Sequence, residues 1–302
     1  MNGHPPHLIH GLWCATLTPL LESGAIDHAR FAAHVQWLFA QGVRGIAPFG
    51  TTGEGQSFPV DVRRHAVDAL LTAVPAKQVL PGTGCASLED TIALTRHATQ
   101  SGCIASLVLP PFFWKGPSDD GLFAWYARLI EGVNDPRLRI FLYHLPQLSS
   151  VPLSVDLVAR LAGAFPGTIA GVKDSQGSWD NTAALLARVP QLAIVIGHEP
   201  DLPRLMAAGG AGTICGVANA YPHLVQALLA ADASDATRAR IAKFVEILFM
   251  QPFLPAFKSI VADRTGDPDW CNVRAPLMPL SGDQRRLLRE ALDRAGFSKD
   301  GR

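Results

Sequence analysis

Cysteine is scarce in this sequence, and the few cysteines that occur are scattered. No two of them form a CxxC pair, and the five positions in the 302-residue chain are Cys14, Cys85, Cys103, Cys215 and Cys271. Disulfide frameworks and zinc sites need cysteines in paired or clustered spacing, so this pattern favours reduced thiols. Cys14, Cys103 and Cys215 lie in or beside apolar runs, where buried packing is the expected role.

A surplus of either charge is also missing. Basic and acidic residues number 26 each, whereas proteins that bind nucleic acid or anionic membranes usually show a basic surplus. We therefore expect neither partner. No apolar run approaches the ~20 residues needed to cross a bilayer. The first ten residues, MNGHPPHLIH, lack the basic start and long apolar centre of a signal peptide, so the sequence predicts a cytoplasmic protein.

The length of the chain allows one large α/β barrel or two ordinary domains. Eight short β-rich runs are predicted strands. Most are continuous apolar stretches, which is typical of parallel strands covered on both faces. They are LWCATL (12–17), GIAPF (45–49), QVLPGT (78–83), ASLVLP (105–110), RIFLYHL (139–145), IAGVK (169–173), AIVIGHE (193–199) and GTICGV (212–217).

Helical segments with capping signals lie between these runs. One is predicted to begin after Asp27, and another begins at Ser87 with Asp90 three residues on, which is close to a capping box. Eight strand–helix units predict an α/β protein with a (β/α)₈ TIM barrel over residues 1–230. Residues 231–302 contain no convincing strand and predict a C-terminal helical extension.

The stretch IAGVKDSQGSWD (169–180) ends a strand-like run on a lysine, a residue that is seldom buried. Active sites of such barrels lie at the carboxyl ends of the strands, and Lys173 ends the sixth predicted strand. By alternation it shares a face with Ile169 and Gly171. An amine there, with its stem in apolar walls, is suited to form a Schiff base. From these residues alone, pairing with Asp174 or extension to solvent explains the lysine equally well.

Two further features belong to the same end of the barrel. Tyr143 lies near the carboxyl end of the preceding strand, where it is either a core tyrosine or a proton shuttle. In FGTTGEGQSF (49–58), glycines flank Thr51 and Thr52, and backbone N–H groups there can hold a carboxylate. A simple turn explains this loop about as well. AAGGAG (207–212) precedes a strand and is expected to be a structural turn at the opposite end.

Four motifs, in their order and spacing, resemble the dihydrodipicolinate synthase/N-acetylneuraminate lyase family of class I aldolases: GTTGEG, YHLPQLSSVPLS, GVKDSQG and GGAGTICGVAN. The likeness reaches VRAPLMPL (273–280). It implies that Lys173 forms a Schiff base with pyruvate or another 2-oxo acid and that Tyr143 acts as acid and base. It also implies that Thr51 and Thr52 bind the substrate carboxylate. Family members are commonly homotetramers, so we expect a homo-oligomer.

Departures from the family pattern bear on the second substrate. Dihydrodipicolinate synthases have an arginine that holds this substrate's carboxylate, but here Leu148 stands in its place, as in the lyase branch. The usual asparagine is His144. In synthases a tyrosine extends the proton relay. Here Phe112, Phe113 and Trp114 occupy that stretch, and we expect Trp114 to wall the pocket.

Residues at the ends of the last strands complete the substrate-binding candidates. By resemblance to the lyase branch, Glu199 binds substrate hydroxyl groups, with His198 beside it and Ser175 facing the substrate. A helix-terminal carboxylate is the competing explanation for Glu199, and a turn hydroxyl is the one for Ser175. Ile214, in the last predicted strand, is the remaining candidate.

The sequence as a whole predicts a Schiff-base lyase or aldolase that reversibly cleaves a C–C bond. A 2-oxo-3-deoxy sugar acid or an N-acetylneuraminate-like substrate is favoured over dihydrodipicolinate synthesis. The alternatives are a dehydratase that uses the same imine, a true synthase, and a non-catalytic barrel that binds 2-oxo acids. The expected partners are pyruvate or a 2-oxo acid with an aldehyde, and we expect no metal and no organic cofactor.

Overall fold

A computed structural model describes residues 7–230 and 232–297. In this part of the chain, seven strands form one parallel sheet in the order β2–β1–β7–β6–β5–β4–β3. The strands are β1 (Gly11–Cys14), β2 (Gly45–Ile46), β3 (Ser106–Val108), β4 (Ile140–His144), β5 (Ile169–Asp174), β6 (Ala193–Ile196) and β7 (Gly212–Cys215).

Residues 79–83 close the remaining gap in the sheet, between β2 and β3. Val79 forms a parallel bridge to β2, and Gly82 forms one to β3. Pro81 has no N–H group to donate, so a regular ladder cannot run through the segment. Isolated bridges therefore stand where the sequence predicts a third strand at 78–83. With this segment, eight extended pieces complete the predicted TIM barrel.

Helices surround the barrel and alternate with its strands. They are α1 (His28–Ala40), α2 (Val60–Leu71), α3 (Leu88–Gln100), α4 (Asp119–Val133), α5 (Pro146–Ser149), α6 (Val155–Ala164), α7 (Trp179–Arg188), α8 (Leu202–Ala207) and α9 (Pro222–Ala227). The predicted caps are present. Asp27 accepts a hydrogen bond from the Arg30 N–H at 2.9 Å, and Ser87 accepts one from the Asp90 N–H at 3.2 Å.

Three more helices follow the barrel: α10 (Asp235–Leu248), α11 (Phe253–Thr265) and α12 (Gly282–Arg294). Residues 254–262 of α11 are all buried, so this helix is enclosed by the rest of the fold. No strand follows β7 within the described residues, in agreement with the predicted helical extension. In the same residues no single helix is long and apolar enough to cross a membrane. Only α10 and α11 taken together, across a 111° bend, pass such a test.

A bulge in β5 changes the alternation of its side chains. Ile140 of β4 pairs with Ile169, but the next residue, Phe141, pairs with Gly171. Ile169 consequently packs in the buried cluster outside the barrel, and the expectation that it shares a face with Lys173 is wrong. Gly171 does face inward, because a Cβ atom there would overlap the Phe141 ring.

All five cysteines have free thiols, as the sequence predicts. Only Cys271 is partly exposed, and the other four are buried.

Candidate active site

Lys173 lies at the carboxyl end of β5, inside the barrel, and is only 4% exposed. The Asp174 carboxylate is engaged elsewhere, by Gln176 N–H, Asn181 and Thr182 at 2.8–3.0 Å. Within the described residues, Lys173 Nζ takes part in no hydrogen bond or ion pair. Both alternatives raised by the sequence, pairing with Asp174 and extension to solvent, are therefore wrong. The amine is buried and uncommitted, which suits a nucleophile.

Tyr143 faces Lys173 from the neighbouring strand. The two residues are register partners on β4 and β5, and Lys173 Nζ lies 4.4 Å from the centre of the Tyr143 ring. The Tyr143 hydroxyl lies 3.2 Å from Thr51 Oγ1. The structure thus brings Tyr143 and Lys173 together, as the sequence predicts, and adds Thr51 as a hydroxyl partner. Hydroxyl groups both donate and accept, so this pair can pass a proton.

Residues 49–55, the Gly-Thr-Thr loop, follow β2 and carry both candidate threonines. The two glycines after the threonines donate their N–H groups to the Gly50 carbonyl, each at 3.1 Å. Within the described chain, neither the Thr51 nor the Thr52 N–H group has a protein acceptor. Two uncommitted N–H groups in the loop that contacts the Tyr143 hydroxyl can donate hydrogen bonds to a ligand carboxylate.

The same loop holds two strained residues. Phe49 has φ 60° and Glu54 has φ 55°, in the left-handed region that favours glycine. This conformation costs roughly 1–2 kcal/mol for a residue with a Cβ atom and persists only where the surroundings impose it. Gly55 is required where it stands, because a Cβ atom there would overlap the Phe49 carbonyl oxygen.

Sequence reasoning missed the side chain that anchors this loop. Glu54 is in ion-pair contact with Lys258 of α11, and both side chains are fully buried. Its second oxygen accepts a hydrogen bond from the Arg274 N–H at 3.1 Å. Burial lowers the pKa of Lys258, and the Glu54 charge opposes that shift. The available signal was a lysine inside the apolar run PAFKSIVA (255–262).

Ser175 and His198 lie around the same end of the barrel. A Cβ atom on Gly197 would overlap Ser175 Oγ and would lie 3.4 Å from Lys173 Cε, so Ser175 and Lys173 both border this glycine. His198 Nδ1 is 2.9 Å from Asp201 Oδ2 and is thereby paired within its own turn.

Glu199 and Ile214 are placed more deeply than the other candidates. Burial raises the pKa of Glu199, and the shift is opposed by backbone N–H groups, including that of Val217, and by the Cys215 thiol. The Glu199 carboxyl group is therefore held towards the end of β7. Ile214 is fully buried inside the barrel, in the same apolar cluster as Tyr143.

Two neighbouring side chains, those of His144 and Trp114, lie outside the barrel interior. His144 points out of the barrel: its Nδ1 accepts the Leu153 N–H at 3.0 Å, so Nε2 carries the proton towards Gln176 Oε1. A histidine engaged on both nitrogens is not a proton shuttle. Trp114 is 76% exposed and is not among the residues that line the cavity beside Thr51. The expectation that it walls the pocket is wrong, and Phe112 is the wall residue.

A cavity of about 340 Å³ adjoins Thr51. No lysine or arginine lines it, and its single carboxylate, Glu54, is already paired. Leu148, where synthases have the arginine, is on its wall. The apolar lining is Leu109, Phe112, Leu145, Leu148, Leu254, Pro276 and Leu277. In the described residues, no group of three or more potential ligand side chains is arranged to hold a metal ion.

A closed parallel barrel with an uncommitted, buried lysine at a strand end defines a class of enzymes that act on carbonyl compounds. Residues 8–295 match the Dihydrodipicolinate synthetase family, and the chain belongs to this family. It is therefore a class I, pyruvate-dependent lyase of the synthase and aldolase group.

The similar proteins include a relative named as uncharacterized and two with crystal structures. An uncharacterized DapA-like lyase from Chloroflexus aurantiacus is 33% identical over 289 residues, which cover 94% of this chain and 96% of that protein. The crystal structure of dihydrodipicolinate synthase from Agrobacterium tumefaciens has a TM-score of 0.89 and 38% identity, over 95% of this chain and 99% of that one. YagE, an Escherichia coli K12 protein of the dihydrodipicolinic acid synthase family crystallised with pyruvate, has a TM-score of 0.85 and 26% identity, over 96% and 99% of the two chains.

Proposed function

We propose that Lys173 forms a Schiff base with pyruvate or another 2-oxo acid, and that the enzyme cleaves or forms the adjacent C–C bond. The observation that carries this proposal is the buried amine with no counter-charge, 4.4 Å from the Tyr143 ring. The amine attacks the 2-oxo carbon, and the carbonyl oxygen leaves as water to give a protonated imine. The free N–H groups of Thr51 and Thr52 hold the substrate carboxylate.

In the cleavage direction, the bond between C3 and C4 of the imine breaks. Its electron pair moves towards the iminium nitrogen and gives an enamine. The hydroxyl group on C4 loses its proton to Tyr143 and becomes the aldehyde carbonyl. Protonation of the enamine at C3 and hydrolysis of the imine then release pyruvate and restore the amine of Lys173. Thr51 is in hydrogen-bond contact with Tyr143 and passes the proton between the Tyr143 hydroxyl and the substrate.

The aldehyde partner, in this proposal, carries no carboxylate that must be clamped. Support comes from Leu148 and from the lack of a cationic side chain on the described cavity wall. A 2-oxo-3-deoxy sugar acid or an N-acetylneuraminate-like substrate fits best, since Ser175 and His198 offer hydrogen bonds to hydroxyl groups. Dehydration through the same imine and dihydrodipicolinate synthesis are the competing reactions. A homotetramer remains a prediction from the family resemblance.

The test is an activity panel. Pyruvate is combined with hydroxylated aldehydes and with aspartate semialdehyde, beside cleavage of 2-oxo-3-deoxy sugar acids and N-acetylneuraminate. We expect a hydroxylated compound to have the highest kcat/KM and Lys173→Ala to abolish turnover. If aspartate semialdehyde is best by about tenfold, or 1.4 kcal/mol in barrier terms, the proposed acceptor class is wrong. Full turnover by Lys173→Ala would overturn the mechanism itself.

A further inference from the structure

Glu54 joins three segments of the chain at one buried point. Its carboxylate contacts the Lys258 ammonium group and accepts the Arg274 N–H. Lys258 Nζ also donates to the Asn272 carbonyl at 2.7 Å. This single ion pair therefore connects the Gly-Thr-Thr loop, helix α11 and residues 272–274.

This ion pair is unlike the others in the described residues, because it alone has both side chains fully buried. Burying two charges is costly, and apolar side chains of similar volume often stabilise a core equally well or better. Stability alone therefore does not account for the pair. A charged pair with further hydrogen bonds fixes the relative orientation of the segments it joins more strictly than apolar packing does, since each bond restricts distance and angle.

The position of the pair indicates what it orients. Glu54 stands two residues after Thr52, and its backbone is held in the left-handed region. A side chain anchored at that point restrains the turn that carries the free Thr51 and Thr52 N–H groups. Arg274, held by the same carboxylate, is followed closely by Pro276 and Leu277, which form part of the cavity wall.

We propose that Glu54 and Lys258 are positioning residues, which set the Thr51 and Thr52 N–H groups for the carboxylate of the substrate and fix the adjoining cavity wall. This inference rests on the proposed function, because it assumes a 2-oxo acid bound at Lys173. Neither residue touches the reacting atoms. The pair acts on substrate binding through the loop and leaves the chemistry at Lys173 and Tyr143 in place.

The experiment compares Glu54→Gln, Lys258→Met and the double variant with wild type. Asp263→Asn is the matched control, because Asp263 also lies on α11 and forms ion pairs, but with Arg285 and Arg289 of α12. Three quantities are measured: the melting temperature, the pyruvate concentration that half-saturates borohydride trapping, and the trapping rate at saturation.

We expect half-saturation to need about tenfold more pyruvate in Glu54→Gln, as for loss of a well-placed hydrogen bond to a charged group. The saturated rate is expected to change less than about threefold, whereas loss of a proton-transfer group costs at least ~10²-fold. The double variant is expected to regain melting temperature relative to Lys258→Met while its half-saturation stays raised. Asp263→Asn is expected to match wild type in half-saturation.

Recovery of both melting temperature and half-saturation in the double variant would overturn the proposal, because the pair would then be structural only. Wild-type half-saturation in folded Glu54→Gln would overturn it as well. If the single variants fail to fold, the double variant against Asp263→Asn carries the comparison. If wild type is not trapped at all, the Schiff-base function fails separately. Calorimetric pyruvate titration then decides, since equal affinity in wild type and the double variant overturns the positioning role.

Discussion

Two buried lysines show how partners, rather than burial, separate a candidate nucleophile from a structural group. Lys173 and Lys258 are both almost inaccessible to water. Lys258 is held by Glu54 and the Asn272 carbonyl, whereas Lys173 forms no hydrogen bond or ion pair among the described residues and its Nζ lies over the Tyr143 ring. An amine that is hydrogen-bonded and charge-paired is held in place by its partners. An amine without such partners can take up a carbonyl substrate.

Removal of the Tyr143 hydroxyl tests the proton relay. For Tyr143→Phe we expect turnover to fall by ~10²–10⁴-fold, the usual contribution of a proton-transfer group. Pyruvate imine formation at Lys173 should fall much less. The control is Tyr126→Phe, because the buried Tyr126 hydroxyl donates to the Val108 carbonyl, outside the site. Turnover of Tyr143→Phe within about threefold of wild type, far below that range, would show that another group moves the proton.

A cation on the cavity wall should change which aldehyde is accepted. For Leu148→Arg we expect kcat/KM for aspartate semialdehyde to rise by about 10–200-fold, since a charge-assisted hydrogen bond contributes ~1.5–3 kcal/mol. The measurement is steady-state kinetics with this aldehyde and with a hydroxylated one. An unchanged ratio between the two would contradict the assignment of Leu148 to the acceptor wall. Leu148→Met is the matched control, because it keeps the wall apolar.

At the scale of elements, the bulge in β5 and the glycine after it bring Lys173 into the barrel. A Cβ atom at Gly171 would overlap both the Phe141 ring and the Ala193 carbonyl oxygen. Because a backbone atom is involved, Gly171→Ala should lower the free energy of unfolding by about 1–3 kcal/mol, as overpacking usually does. Gly163→Ala in α6 is the control: a Cβ atom there meets nothing within 4 Å, and helix propensity predicts a gain of up to ~1 kcal/mol. Denaturant unfolding measures both variants, and equal stabilities would contradict the packing described.

Helix α1 contributes a pH-dependent contact to the barrel. His34 lies 3.0 Å from Asn219 Oδ1, and burial lowers its pKa from 6.5 to about 4, although the Asn219 hydrogen bond opposes this shift and nearby Arg264 reinforces it. In the unfolded chain His34 binds a proton near pH 6.5, whereas in the folded chain it binds one only near pH 4. The stabilisation is therefore complete above about pH 6.5 and is lost as the pH falls towards 4, by roughly 3 kcal/mol.

His34→Gln removes this titration while keeping a group that can donate to Asn219. The variant should flatten the decline in unfolding free energy between about pH 6.5 and pH 4, relative to wild type. The measurement is denaturant unfolding of both proteins across that range. Parallel curves would show that His34 does not titrate as its burial requires.

At the scale of the whole molecule, the barrel could be predicted from the sequence, because apolar runs and capping signals are local features. The position of Lys173 near a strand end and the closeness of Tyr143 also follow from the topology, since adjacent parallel strands end together. The bulge at Ile169 could not be predicted from the sequence, because it depends on the register between β5 and β4. The outward direction of the His144 side chain could not be predicted either, because it depends on the hydrogen bond from the Leu153 N–H group.

The Glu54–Lys258 pair was missed for the same kind of reason. Its members are 204 residues apart in the sequence, as their numbers give, and only the packing of α11 beneath the Gly-Thr-Thr loop joins them. From the sequence, a glutamate in a glycine-rich turn is expected to be solvated, and a lysine in a helix is expected to lie at the surface. Long-range contacts of this type leave little trace in one sequence.

Borohydride trapping tests the central claim most directly. The protein is incubated with pyruvate and sodium borohydride, and peptides are then mapped by mass spectrometry. We predict a mass increase from reduced pyruvate imine on the peptide that contains Lys173, and none on the peptide that contains the equally buried Lys258. Trapping at Lys258, or no modification at all, would contradict a Schiff base at Lys173.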